Sequence, residues 1–505
     1  MKKQITAMFL ALAMMLPTLT ACSESTDNND AITESPTVAG SVETIPEAVE
    51  AEAETEFTRA DVQDDLPDDL NFDGQQVMVL ARTKAWFDGE MYVEELNGET
   101  LNDAVFNRDT KVEDRLNVVI NYDLQDNTNS VINNNVTAGV DEHQLHVGSA
   151  VDTVQYGVRG NYYNLLGEYP EYLNLDQPWW SQYYTQQESI LHKAFFATGD
   201  LFTSLIKLSF VTYVNLQMIA DYNLENPYEL VRDGVWTIDK EMQMAGDIYI
   251  DNNNNGEKDE KDTYGMSIGG AIGLDVYWSA FDLTICAKDA DDVPSLAIDE
   301  EKMSSVISKL YDYKVNYDSV FTPLNDSDAE QDIIAQMLAE NRMLFSPLRI
   351  MHTDQIREME SSYGLIPLPK WDEAQSNYYT FVHDQYSIGG IPISVQNPSM
   401  VSAVFEALAA ESYRYVTPAY YDLVLNGKYL RDRDSSEMLE IAMDGIKIDF
   451  GWIHTSSVSG ISQALLRDIL YDPPQDNFSS AYASRQRIID KAMAKLLDNV
   501  EKIDN

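Results

Sequence analysis

Apolar positions along this chain follow two periods. Gln76-Val-Met-Val-Leu-Ala is a short apolar run between polar neighbours, which predicts a buried strand. From Leu101 to Leu116 the apolar residues Leu101, Val105 and Val112 recur among mixed charges, which predicts a helix. Asn117-Val-Val-Ile-Asn-Tyr then reads as a second strand, so the globular part opens β-α-β, the mark of a layered α/β lobe. A third strand is expected over Val151–Arg159, and another over Phe195–Ala197 leading into the turn Thr198-Gly-Asp. Phe210–Tyr222 reads as strand into helix, Asn341–Arg349 as containing a strand, and Gly389–Ser394 as strand-like. Helices are expected over Ser304–Asn316, Met400–Ser412 and Ala481–Asn499, and no internal repeat is found.

The first 70 residues follow neither period. Lys2 and Lys3 precede a nearly unbroken apolar run, Ile5–Ala21, too short for a membrane span and suited to the core of a secretory signal. Leu19-Thr-Ala-Cys22 has the form of a bacterial lipobox, so residues 1–21 are expected to be removed and Cys22 lipidated. Residues 22–70 are rich in Glu, Asp, Thr, Ala, Ser and Pro, with no aromatic residue before Phe57, and are expected to form a disordered acidic tether. From Phe72 onward the chain is too long for one core, so two lobes are expected.

The net charge is -50, and loss of Lys2 and Lys3 takes the side chains to -52. A chain this negative repels phosphate backbones, which excludes nucleic acid as a partner, and it repels anionic lipid, so the lipid must do the anchoring. Cys286, left alone after processing, stands in the apolar context Phe-Asp-Leu-Thr-Ile-Cys and is expected to pack as a small hydrophobe, with no internal disulfide.

Several segments give the chain a family likeness. They are Asn97–Arg108 (NGETLNDAVFNR), Asn174–Trp180 (NLDQPWW), Tyr222–Val231 (YNLENPYELV) and Gly234–Asp239 (GVWTID). Tyr363–Asp372 (YGLIPLPKWD), Pro418–Asp422 (PAYYD) and Lys428–Asp432 (KYLRD) complete the set. On these the chain resembles the extracellular solute-binding proteins of ABC transporters, family 1, the carbohydrate-type group that includes maltose-binding proteins. The resemblance implies an α/β fold of type II, with two periplasmic-binding-protein-like lobes joined by strand crossovers and a solute held between them. Lobe one is expected at 71–203 and 342–396, and lobe two at 204–341 and 397–505. The implied protein is a lipid-anchored monomer on the outer face of the cell membrane that hands a sugar or oligosaccharide to ABC permease subunits and does no chemistry on it. Two other classes stay open: a surface lipoprotein enzyme acting on glycans, and a sugar sensor or adhesin using the same fold.

Sugar recognition asks for flat aromatic faces against C–H patches and planar polar groups against hydroxyls. Placed by the family's pattern, the candidates are Trp86 after the first strand, Tyr156 and Arg159 after the expected third strand, and Asp200 at the Thr-Gly-Asp turn. Tyr277 and Trp278 in lobe two, Arg349 at the end of its strand, and Trp452 in Asp-Phe-Gly-Trp-Ile complete the set. Trp179 and Trp180 are expected in the core.

Asp251-Asn-Asn-Asn-Asn-Gly-Glu-Lys-Asp-Glu-Lys-Asp262 carries a second chemistry. Oxygen side chains stand at Asp251, Asn253 and Asn255, the turn at Gly256, a backbone carbonyl at Glu257, and carboxylates at Asp259 and Asp262. This spacing matches an EF-hand-type loop with Asp in place of the closing Glu, so a structural calcium is expected; the alternative is an Asn-rich turn. Gly265-Met-Ser-Ile-Gly matches the G-x-S-x-G pattern of hydrolases, but an acidic loop precedes it and Gly269-Gly-Ala follows it, so no nucleophile elbow is expected. The pair His143 and His146 lacks the H-E-x-x-H form of a zinc protease.

Overall fold

The structure, a computed structural model, describes residues 58–323, 328–357, 359–425 and 433–504. The signal segment, Cys22, the first part of the tether and the Lys428–Asp432 motif lie outside the described residues.

Among the described residues, twelve strands fall into two main sheets and a hairpin. In chain order they are β1 (Gln75–Arg82), β2 (Val118–Gln125), β3 (Leu145–Ser149), β4 (Phe210–Asn215), β5 (Tyr249–Ile250) and β6 (Thr263–Ser267), followed by β7 (Cys286–Lys288), β8 (Pro294–Leu296), β9 (Val320–Phe321), β10 (Met343–Arg349), β11 (Tyr363–Ile366) and β12 (Ser387–Gly390). The first sheet has the order β12-β3-β1-β2 and the second β11-β4-β10-β6-β5, with β9 on β6; β7 and β8 pair with each other. β1 lies parallel to β2, with Val79 opposite Tyr122, and parallel to β3. In the second sheet β10 is parallel to β6 and antiparallel to β4.

The expected β-α-β opening is present: β1, the helix Thr100–Leu116, then β2. Asn117 ends that helix in the left-handed region at φ 48°, which Asn tolerates better than most side chains. Two expectations fail. Residues 151–159 form no strand; the strand is β3, and Ala150–Gly157 is a helix burying Ala150, Thr153 and Val154. That spacing of three and four is helical, and the β-branched valines masked it. Phe195–Ala197 joins the first sheet only through an isolated bridge between Ala197 and Gly389.

The chain crosses between the sheets before β4, between β11 and β12, and again where the helix Pro398–Glu411 runs through a π-helical segment, Ser412–Val416, into the helix Thr417–Leu425. The lobe boundaries therefore move. β10 and β11 pair with β4, so 343–366 belongs with the second sheet, not the first. The helix Pro398–Glu411 packs Val401, Val404, Phe405 and Leu408 against β1 and β3, so it belongs with the first. Tether residues 58–70 are also structured. Leu66 is buried, Arg115 donates to both oxygens of Asp64 at 2.7 Å, and Arg414 donates to Val62 O at 2.7 Å and to Asp64 at 3.1 Å. Two arginines hold this strap, an attachment that acidic composition alone does not reveal.

Candidate functional site

β6 and β10 run parallel, so Ser267 and Arg349 close the same edge of the second sheet. Ligands of open α/β sheets bind beyond the carboxyl ends of parallel strands, and that edge meets the first lobe here. Arg349, 1% exposed, lays its guanidinium 4.8 Å from the ring centre of Trp86, which stands in the turn after β1. His383, on the crossing between β11 and β12, sets its ring edge-on to Trp86 at 6.1 Å. Burial first, then Arg349, hold His383 well below the usual imidazole range, so it is neutral.

Carboxylates gather beside this contact. Asp384 is pushed up to about 7, by burial first and then by Asp275, with Asp152 acting in the same sense and Arg467 against it. Asp152 comes from the first-lobe helix after β3 and accepts Ser149 Oγ at 2.8 Å. Asp275 comes from the second-lobe helix Ile272–Ala280 and pairs with Arg467. Trp452, 5% exposed, packs edge-on to Phe381 at 5.1 Å. With Asp384, Tyr386 and Lys447 it lines a gap of about 10 Å³, room for about one water. Trp452 Nε1 and the Tyr386 hydroxyl are buried there with no hydrogen-bond partner among the described residues. A larger pocket of about 290 Å³ opens on the other side of Trp86, between Asp88, Lys207, Thr353, Asp354 and Tyr420.

Of the eight ligand candidates, the structure brings Trp86, Arg349 and Trp452 to the junction of the lobes. The other five lie elsewhere. Tyr156, in the helix Ala150–Gly157, is half-buried under Arg159 just past its end, whose guanidinium lies 5.1 Å from the Tyr156 ring centre and donates to Gln155. Asp200 is bound by Arg59 at 2.9 Å and holds the strap. Tyr277 and Trp278 lie in a helix buried on all sides; Trp278 donates to Ser462 O at 3.0 Å. Trp179 and Trp180 are core, and their indole N–H groups share the carboxylate of Glu406 at 3.1 and 2.9 Å. His143 and His146 are buried, bonded to Asp123 and Tyr162. The sequence reading missed His383, Asp384, Tyr386, Asp152 and the Asp275–Arg467 pair. One signal was available: His383-Asp384-Gln385 interrupts a mainly apolar stretch, Phe381 to Ile391.

The Asp251–Asp262 loop joins β5 to β6. Asp251 Oδ2 accepts Gly256 N–H at 3.0 Å, Asp262 accepts Asn252 N–H at 3.1 Å, and Asp259 accepts the amides of Asn253 and Asn255. Asp251 Oδ1 is buried with no partner among the described residues. No group of three or more His, Cys, Asp or Glu among the described residues converges as a metal cluster; this loop draws part of its oxygen set from amides.

No protein-family model matches this sequence. No curated protein sequence matches it either. Solved structures do. A solute-binding protein of an ABC transporter from Thermotoga lettingae TMO, bound with α-D-tagatose, aligns at TM-score 0.50 and 12% identity over 85% of this chain and 100% of that one. A cyclo/maltodextrin-binding protein complexed with maltotetraose aligns at TM-score 0.50 and 9% identity over 86% of this chain and 98% of that one. The chain has the fold of the ABC-transporter solute-binding proteins. In that fold two of the quoted segments, Gly234–Asp239 and Tyr363–Asp372, pack on each other as scaffold: Trp236 donates to Pro367 O at 3.0 Å, and Thr237 bridges to Lys370. No described helix is long and apolar enough to cross a membrane.

Proposed function

We propose that this protein captures a neutral carbohydrate between its lobes and delivers it unchanged to an ABC importer. The observation that carries this reading is the contact of Trp86 from the first lobe with Arg349 from the second, beside His383 and Asp384 on a crossing. An aromatic face and planar polar groups from both lobes meet where a solute would draw the lobes together. The two solved proteins cited above hold a monosaccharide and a linear oligosaccharide, and both classes suit such a site. Signal cleavage before Cys22 and acylation of that residue would keep the protein at the outer membrane face near its permease.

The test is a thermal-shift screen of residues 58–505 against α-D-tagatose, maltotetraose and other sugars, with amino acids and peptides as controls. A solute at about one hundred times its Kd adds roughly 2.7 kcal/mol, a clear rise in melting temperature. The reading predicts a rise with one sugar class and recovery of that sugar intact. New reducing ends would point to a glycan-active enzyme instead, and a response confined to amino acids or peptides would overturn the carbohydrate assignment.

The loop Asp251–Asp262 belongs to the same reading as a structural calcium site. Asp251, Asn253, Asn255, Asp259 and Asp262 offer side-chain oxygens, Glu257 a carbonyl, and the unpartnered Asp251 Oδ1 is an atom that a cation would satisfy. Asp251→Ala is expected to lower the melting temperature in calcium and leave it unchanged in chelator. Equal losses in both conditions would leave the loop as an ordinary turn.

A further inference from the structure

The loop after β6 reads Ile268-Gly-Gly-Ala-Ile-Gly273, and it closes on a side chain of the protein itself. Glu330, on the helix Asp328–Ala339, is completely buried. It accepts the N–H groups of Gly270 at 2.9 Å and Ala271 at 3.2 Å, and that of Gly273, at the start of the helix Ile272–Ala280. Lys314, from the helix Glu300–Asn316, donates to Gly269 O at 3.1 Å, and its charge acts on Glu330. A Cβ added at Gly269 or Gly273 would stand 2.4 or 2.7 Å from Glu330 Oε1, so the glycines make room for the carboxylate.

Free N–H groups and the positive end of the helix dipole make a glycine-rich helix start a ready anion site. In this chain the anion is internal. The loop leaves the edge of β6 that also carries Arg349 on β10, the edge facing Trp86. The next residues of the same helix carry Asp275 to its partner Arg467, whose charges act on Asp384.

We propose that Glu330 is a positioning and specificity-determining residue of the interlobe site: it fills the start of the helix Ile272–Ala280, fixes Asp275 and Arg467 in the lobe-two wall, and denies that helix end to an anionic solute. The proposal rests on the solute-binding reading for its purpose, while the melting arm of its test stands without that reading. Burial pushes Glu330 up to about 7 against the pull of the three N–H groups and Lys314, and Lys314 in turn faces Asp472.

The experiment compares wild type, E330A and E330Q of residues 58–505 by thermal melting in sodium chloride and in sodium formate, above the Glu330 pKa of about 7. E330A is expected to melt below wild type in chloride and to regain most of the loss in formate, which reoccupies the vacated helix start. Wild type and E330Q, whose amide oxygen still accepts from Gly270 and Ala271, should not respond to formate. The positioning role is read by maltotetraose titration followed by tryptophan fluorescence: E330A should bind more weakly than E330Q, and formate should restore its affinity. Formate without effect on E330A, or acting equally on wild type, overturns the proposal. If E330A does not fold, E330Q decides by its pH profile. Wild type should lose stability relative to E330Q as pH rises through about 7, because its folded pKa lies above the unfolded one; parallel profiles overturn the proposal. Wild type failing to bind maltotetraose would bear on the choice of sugar, while the melting arm still decides on Glu330.

Discussion

Tryptophan shows best how far a single residue can be read. Trp86 and Trp278 are the same side chain, and both read as sugar platforms. Trp86 follows a strand end, keeps partial exposure and meets Arg349 across the lobes. Trp278 sits in a helix whose residues Gly273–Ala280 are all buried and is 1% exposed. Trp86→Ala is therefore expected to weaken solute binding with little change in melting temperature. Trp278→Ala should cost about 3–5 kcal/mol of stability, because it leaves a cavity and an unpaired Ser462 carbonyl. Solute titration beside calorimetry on the two variants separates the roles; a large melting loss for Trp86→Ala would make it packing. Arg349 comes to the lobe junction because it ends an expected strand, β10. The place of Asp200 was not legible, because its partner Arg59 lies in a stretch whose composition reads as disordered.

At the scale of elements, period decided success. The helix Thr100–Leu116 and strands β1, β4 and β10 carry unbroken patterns and were legible to within a few residues. The segment 151–159 was misread because Val151, Val154 and Val158 favour strands by residue type while their spacing is helical. That error placed a candidate at Tyr156 and passed over Asp152, near the start of the helix, whose charge acts on Asp384. Lobe membership was illegible for a different reason: β10 and β11 join the second sheet through pairings with β4 more than a hundred residues away, which no local pattern encodes. The strap around Asp64 gives an element-scale prediction. The Asp64 side chain is 1% exposed between Arg115 and Arg414; Asp64→Ala removes the ion-pair partner of Arg115 and leaves Arg414 with Glu411 and Val62 O, so it should cost about 1–3 kcal/mol by urea denaturation. A loss close to zero would show that the strap is not needed for the stability of the fold.

At the scale of the whole molecule, surface and interior charges behave differently. The surface is strongly acidic, yet burial pushes Glu188 and Glu241 up to about 8 and Glu406 up to about 7. In the unfolded chain these groups titrate near 4.5, so the folded protein holds protons that the unfolded one has released. Their contribution is complete below about 4.5 and is lost as pH rises through 7 to 8. Stability should accordingly fall across that window, and Glu241→Gln should flatten its part of the slope, at about 1.4 kcal/mol per pH unit. Melting curves across the window check this; a Glu241→Gln profile parallel to wild type would show that Glu241 is already ionised in the fold.

The strap has one more consequence, for force. A pull on the chain at Thr58 passes into Arg59 and Asp200, then into Asp64, Arg115 and Arg414, the last of these on the π-helical crossing. None of these residues belongs to the strands of either sheet. Under the proposed anchoring at Cys22, the load of the tether would therefore enter through side chains outside both sheets and bypass their strands.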